Sequence, residues 1–189
     1  VHDYAKPLYE KRSEGYPPEL ALKCFSGYRS SILSLREPVR RFVQEVKNCF
    51  EDHVIFVTSD HGEFFGEHGL AWHGVGLFEE GVKVPLLVIS SQIEFSKKQG
   101  FISLADLYPT ILHLAGVDSE GTYGISLLNS GSHETVISEE RLLSEVASIR
   151  DKNFRYMIYN PWIANPGLGE LEHLEKLYRF NDEGAQEEV

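Results

Sequence analysis

The run His53-Val54-Ile55-Phe56-Val57-Thr58-Ser59-Asp60-His61-Gly62-Glu63 decides how this chain is read. Val54 to Thr58 are β-branched or aromatic without polar alternation, the signature of a strand buried on both faces. The apolar run then stops at Ser59, and a polar, glycine-rich stretch continues through Phe64-Phe65-Gly66-Glu67-His68-Gly69-Leu70-Ala71-Trp72-His73-Gly74. The carboxyl end of a buried strand is where open α/β sheets place their ligands. Three of the eight histidines, His61, His68 and His73, fall in this stretch beside Asp60, Glu63 and Glu67. An Asp followed directly by His offers one hard oxygen and one imidazole nitrogen, a pair suited to a divalent cation such as Ca²⁺, Mn²⁺ or Zn²⁺. Two ligands do not hold a metal alone, and the same residues also make an ordinary polar loop. The residues by themselves leave both readings open.

Working outward, Val84 to Ile89 forms a second buried strand, and residues 103–115 a helix. Ser103 is its expected N-cap, Leu104, Leu107, Ile111 and Leu114 its inward face, and Gly116 its stop. Upstream, residues 19–50 carry helical spacing through Leu20, Leu22, Cys24 or Phe25, Tyr28, Ile32 and Leu35. Pro38 interrupts that pattern and suits the first turn of a second helix bearing Val39, Phe42, Val43 and Val46. Strand, connection, strand, helix is the grammar of a mostly parallel α/β sheet. Residues 1–9 are expected to include a short strand, and residues 119–134 a Gly- and Ser-rich crossing loop. Four short candidate strands follow at residues 135–138, 146–150, 154–159 and 176–180, which predict a small antiparallel appendage. The expected organisation is a core over residues 1–128 and a small α+β subdomain over residues 129–189.

Composition sets outer limits. The 189 residues are 42% hydrophobic, enough for a sizeable core, and 18 Lys and Arg against 29 Asp and Glu give a net charge of −11. That balance, with no basic run, argues against nucleic acid and anionic membrane surfaces as partners. No apolar run approaches the roughly 20 residues of a spanning helix. Cys24 and Cys49 lack metal or redox spacing and are expected as two buried or partly buried thiols, with a disulfide as the alternative, and their number does not argue for an oxidising compartment. The sequence assigns no localisation. It opens on Val1 and its single methionine is Met157, which is expected of a processed or truncated piece of something longer.

Residues 58–88 resemble the C-terminal signature of the sulfatase family within the alkaline-phosphatase-like superfamily. The resemblance rests on Thr58-Ser59-Asp60-His61-Gly62-Glu63, Gly66-Glu67-His68-Gly69, His73-Gly74, Phe78-Glu79-Glu80 and Lys83-Val84-Pro85-Leu86. It extends to Ser103-Leu104-Ala105-Asp106-Leu107-Tyr108-Pro109-Thr110, similar to the following helix of that family, and to Ala147-Ser148-Ile149-Arg150 and Leu177-Tyr178-Arg179-Phe180 near its end. The resemblance implies an alkaline-phosphatase-like α/β three-layer sandwich, present in part, with a small antiparallel C-terminal subdomain. It implies Asp60 and His61 as two ligands of an active-site divalent cation, calcium first and Mn or Zn as alternatives. His73 stands where many relatives carry lysine, and would contact the sulfuryl or phosphoryl oxygens or protonate the leaving group. Glu63, Glu67 and His68 would brace the loop.

The same resemblance exposes departures. The nucleophile motif of the family, C/S-x-P-x-R, has no match here: Cys24-Phe25-Ser26-Gly27-Tyr28 places Ser26 and Tyr28 where Pro and Arg belong. The two early acidic metal ligands are also absent, and Arg36-Glu37 stands on the helix where relatives commonly hold Asp. The expectation is the C-terminal part of a metal-dependent hydrolase of sulfate esters, its nucleophile outside the chain and the chain inactive alone. The alternatives are a phosphodiesterase or phosphonate hydrolase of the same superfamily, and a non-catalytic remnant that binds an anion or a protein. Surfaces left uncovered predict a homodimer.

Overall fold

The computed structural model describes residues 17–74, 76–95, 100–141, 145–160, 174–180 and 186–189. The expected strand within residues 1–9 lies outside them. The fold is mixed α/β, and contacts divide the chain into two compact units, Val1–Ile93 and Glu94–Val189. The five-stranded sheet of the second unit is antiparallel throughout.

In the first unit, helix α1 spans Pro18–Cys49. It is continuous through Pro38, so the expected break does not occur. Proline's fixed φ is itself helical, and its penalty of about 3 kcal/mol is a single local loss set against the hydrogen bonds of a long helix. The Arg40 guanidinium also forks onto Glu37, at 2.7 and 2.8 Å, across that turn. No residue of α1 is buried, although Phe25 and Tyr28 bring their rings to 5.4 and 5.1 Å from that of Phe65. Both cysteines are free thiols on this helix; Cys24 is partly buried as expected, whereas Cys49, in the last turn, is exposed.

Strand β1 (Val54–Thr58) forms where the β-branched run predicts it, but the expected burial is not met. Only Ile55 of β1 is buried, and no residue of the partner strand over Leu86–Ser90 is, because among the described residues this sheet has two strands and neither face is fully covered. After it come β2 (Phe64–Phe65), a 3₁₀ turn (Glu67–Gly69), β3 (Ala71–Trp72), the single-turn helix α2 (Glu79–Val82) and β4 (Leu86–Ser90). β1 and β4 pair antiparallel, Val54 opposite Ser90 and Thr58 opposite Leu86. The mostly parallel sheet expected from element order is therefore corrected for this pair. A parallel return needs a long crossover, usually a helix. Here the connection is taken up by the β2–β3 hairpin and four residues of helix. Ile55, Phe64, Leu77 and Phe78 form the buried core of this unit.

In the second unit, Ser103 caps as expected. Its Oγ accepts from Ala105 N–H, and its own N–H donates to Asp106 at the head of a 3₁₀ turn (Leu104–Asp106) that runs into α3 (Leu107–Leu114). Gly116, at φ +69°, ends the helix, with Val117 N–H bonded back to Leu112 O. The buried face is not the predicted leucine face: Asp106, Pro109 and Thr110 are buried, while Leu104 and Ile111 are exposed. Strands β5 (Val136–Glu140), β6 (Glu145–Arg150), β7 (Phe154–Asn160), β8 (Leu174–Phe180) and β9 (Gln186–Glu188) then pair in sequence order. The four predicted strands match β5 to β8. Val146, Ser148, Arg155, Met157 and Tyr178 are buried on this sheet.

Candidate functional site

The site is built on the loop that leaves β1. Thr58 Oγ1 donates to Pro85 O at 2.7 Å, tying the strand end to the residue before β4. Ser59 Oγ donates to His61 O at 2.7 Å, and His61 N–H donates to Asp60 Oδ1 at 2.9 Å, which closes a tight polar turn. Gly62 and Glu63 then donate their N–H groups to Gly81 O and Glu80 O, at 2.8 and 3.0 Å. The approach is so close that a Cβ on Gly62 would meet Glu80 O at 1.9 Å. Position 62 therefore requires glycine for contact distance.

This turn brings Asp60 and His61 together, Asp60 Oδ2 lying 3.6 Å from His61 Nε2. His61 Nδ1 is 2.8 Å from Gly62 O. A carbonyl only accepts, so Nδ1 carries the proton and Nε2 of the neutral ring presents a lone pair beside the carboxylate. Two lone-pair donors at that separation match what one cation bound at about 2.0–2.5 Å per ligand would need. The Asp60 carboxyl is held below the usual carboxylate range, first by the hydrogen bond from His61 N–H and then by its own backbone N–H. Both side chains are open to solvent. Among the described residues, no group of three or more His, Cys, Asp and Glu is placed to hold a metal ion. The donor chemistry of Asp60 and His61 fits a divalent cation, and two ligands are only part of a coordination shell.

His73 reaches the same place from the other end of the loop. Its ring stacks on His61 with centroids 4.2 Å apart and planes 27° from parallel. Its Nδ1 lies 3.3 Å from Glu63 Oε2, so Nδ1–H donates to that carboxylate and Nε2 is left to give or take a proton elsewhere. The pairing of Glu63 with His73 is what sequence reasoning missed: the partners lie on either side of the hairpin, and no spacing rule reveals them. Glu67 accepts from Phe65 N–H at 2.6 Å. His68 stacks on Phe78 at 3.8 Å and reaches Glu80 at 3.3 Å.

The backbone between these groups is unusual. Gly66, Gly69 and Gly74 have positive φ, and so do two residues with side chains, His68 at +56° and Trp72 at +77°. Such positions cost free energy, and they collect at functional sites.

A mixed α/β unit with an Asp-His pair at the carboxyl end of β1 defines a candidate metal-dependent site. Comparison with known proteins gives the class a name. The sequence profile of the sulfatase family matches residues 1–117, well over half of the chain, and the chain belongs to that family. It is 38% identical over 93 residues to arylsulfatase K of Danio rerio, covering 46% of this chain and 17% of that protein. It is 29% identical over 143 residues to choline-sulfatase of Rhizobium meliloti, covering 69% of this chain and 28% of that one. A solved protein in complex with its substrate D-glucosamine-2-N,6-O-disulfate superposes with a TM-score of 0.65 at 20% identity, covering 94% of this chain and 39% of the other. At that identity the likeness shows the fold. The chain therefore spans less than a third of the length of these curated relatives.

Proposed function

We propose that this chain supplies part of the active site of a sulfatase-like hydrolase acting on sulfate esters. Asp60 and His61 would be two ligands of a divalent cation, and His73 the group that meets the ester. The single observation carrying this reading is the convergence of the three side chains, Asp60 on His61 at 3.6 Å and His61 on His73 at 4.2 Å between rings. The names of the curated relatives, arylsulfatase K and choline-sulfatase, support sulfate esters over phosphate esters.

The cation, Ca²⁺ in this reading with Mn²⁺ or Zn²⁺ as alternatives, supplies positive charge against the nonbridging oxygens of the ester when bound. The protein groups do the rest. Asp60 contributes a carboxylate that stays ionised, and His61 a nitrogen whose tautomer the Gly62 carbonyl fixes. Glu63 holds the His73 ring by Nδ1–H, and in the imidazolium form, with both nitrogens protonated, Nε2–H would donate to an anionic oxygen or give its proton to the departing alkoxide, leaving the neutral ring with its proton on Nδ1. The nucleophile and the remaining ligands are assigned outside this chain, because neither Cys24 nor any other residue here sits in the family's nucleophile motif.

Thermal unfolding of the purified chain tests the assignment. Millimolar CaCl₂ should raise Tm, by the linkage of binding to folding. Asp60→Asn and His61→Ala should each abolish that rise. His73→Ala should keep it, yet lose the further rise that sodium sulfate adds to the cation-loaded wild type. A wild-type chain whose Tm ignores Ca²⁺, Mn²⁺ and Zn²⁺ alike, or a His61→Ala chain that responds in full, overturns the reading.

A further inference from the structure

Trp72 is the residue of the site loop that local backbone chemistry explains least. In β3 it stands directly opposite Phe64 of β2. Side chains directly opposite each other across an antiparallel pair share a face. Phe64 is 1% exposed, whereas Trp72 is 36% exposed. The reason is the backbone: Trp72 has φ +77°, in the left-handed region where a bulky side chain is an outlier and glycine is at ease. That conformation takes the indole out of the pleat, so a large apolar ring is not carried into the core with its cross-strand partner. Instead its ring lies beside His73, with centroids 6.2 Å apart and planes 51° from parallel. His73 in turn stacks on His61.

A strained backbone, a half-exposed indole and a position next to the anion-contacting histidine are together a poor design for stability and a good one for binding a ring. Glycine would relieve the strain, and a core position would bury the ring; this loop does neither. We infer that Trp72 is a specificity residue whose indole forms a wall for the alcohol part of the ester, selecting alcohols with a flat apolar ring face over open-chain ones. Indole stacks on aromatic rings by offset or edge-on contact, and the apolar face of a sugar ring offers it the same kind of surface. The inference rests on the proposed sulfate-ester site, since it is the anion held near His73 that brings the alcohol to Trp72.

The chain has two tryptophans, so the indole N–H signal of Trp72 can be assigned in the proton NMR spectrum by its loss in Trp72→Phe. The wild-type chain, in millimolar CaCl₂, is titrated separately with 4-nitrophenyl sulfate, glucose 6-sulfate, ethyl sulfate and inorganic sulfate. All four should move the His73 imidazole signals, whereas only the two ring-bearing sulfates should move the Trp72 indole. The comparison of those two separates an aromatic from a sugar ring. Trp72→Gly should keep or raise Tm, weaken the ring-bearing probes several-fold, and leave ethyl sulfate unchanged, while Trp72→Phe should recover most of the loss. His73 responding to every probe with Trp72 indifferent to the rings overturns the inference and leaves the anion site standing. Silence of both residues toward all four probes overturns the anion site, and the inference with it.

Discussion

At Asp60 the exposed carboxylate does not stand on solvent alone. The His61 N–H that bonds Oδ1 stabilises the ionised form, which is why its carboxyl sits below the usual carboxylate range. A group whose folded pKa is depressed stabilises the fold above its unfolded value, and loses that contribution as pH falls through the folded one. Asp60 therefore remains an anionic ligand in moderately acid solution. In carbon-13 spectra the Asp60 carboxyl signal, assigned by its loss in Asp60→Asn, should keep the position of an ionised carboxylate at about pH 5 as at about pH 7, both above the ordinary aspartate value of ~3.9. A signal that moves toward the protonated position between the two pH values would mean that Asp60 is already protonated at the lower one. At this scale the sequence was informative because adjacent residues carry the chemistry: Asp60 and His61 are neighbours, and their turn is closed by their own backbone. It was silent on Glu63 and His73, whose contact needs the β2–β3 hairpin to fold first.

At the scale of elements, local propensity predicted existence well and environment poorly. The run from Val54 to Thr58 is a strand on composition alone, and the four short alternating runs near the C-terminus each form one. What local pattern could not supply was the direction of pairing, since β1 would look the same against a parallel or an antiparallel neighbour. Nor did it supply the buried face of α3. Leucine spacing pointed to Leu104 and Ile111, yet the interior is organised around a carboxylate, Asp106, which is 2% exposed. Its Oδ2 accepts from Ser103 N–H at 2.8 Å, and its Oδ1 accepts from Ile125 N–H and from His133 Nε2, each at 2.7 Å. Thr110 continues the network, donating to Asp106 O at 2.5 Å and accepting from Leu127 N–H at 2.8 Å. Asp106 thus caps the helix and pins the 125–133 segment to it, a role that no helical periodicity encodes. Asp106→Ala would leave three donors without their acceptor, and removing one member of such a buried polar set costs about 3–5 kcal/mol. Urea unfolding followed by far-ultraviolet circular dichroism should show a loss of that size, with Asp106→Asn losing less because its amide oxygen can still accept. A change within about 0.5 kcal/mol, the range of ordinary surface substitutions, would show that the network does not hold the segment.

For the molecule as a whole, the family and its fold were legible, because the residues of the strand-end loop are specific and the match extends through residue 117. What the chain does with its surfaces was only partly so, and α1 shows why. Phe25, Tyr28, Ile32, Leu35, Val39, Phe42 and Val46 recur at alternating three- and four-residue steps, a stripe that amphipathic helices ordinarily bury. Among the described residues, only the start of the stripe is met by an aromatic ring, that of Phe65. Farther along, Ile32, Leu35 and Phe42 are 49%, 53% and 59% exposed. A contiguous apolar stripe of this kind marks an interaction surface or an association liability. The net charge of −11 does not protect it by repulsion, since Arg36, Arg40 and Arg41 are largely offset by Glu37 and Glu45 on the same helix, and the surroundings of the stripe carry little net charge. We therefore expect the 189-residue chain to self-associate through α1 at micromolar concentrations. Sedimentation velocity should show a concentration-dependent shift from monomer to dimer, weakened at low temperature as hydrophobic association is. Ile32→Lys combined with Phe42→Lys should return the chain to monomer, while leaving the Ca²⁺-induced rise in Tm intact because neither residue belongs to the site loop. A wild-type chain that stays monomeric across the whole concentration range, or a double variant that still dimerises, would show that association does not run through this helix.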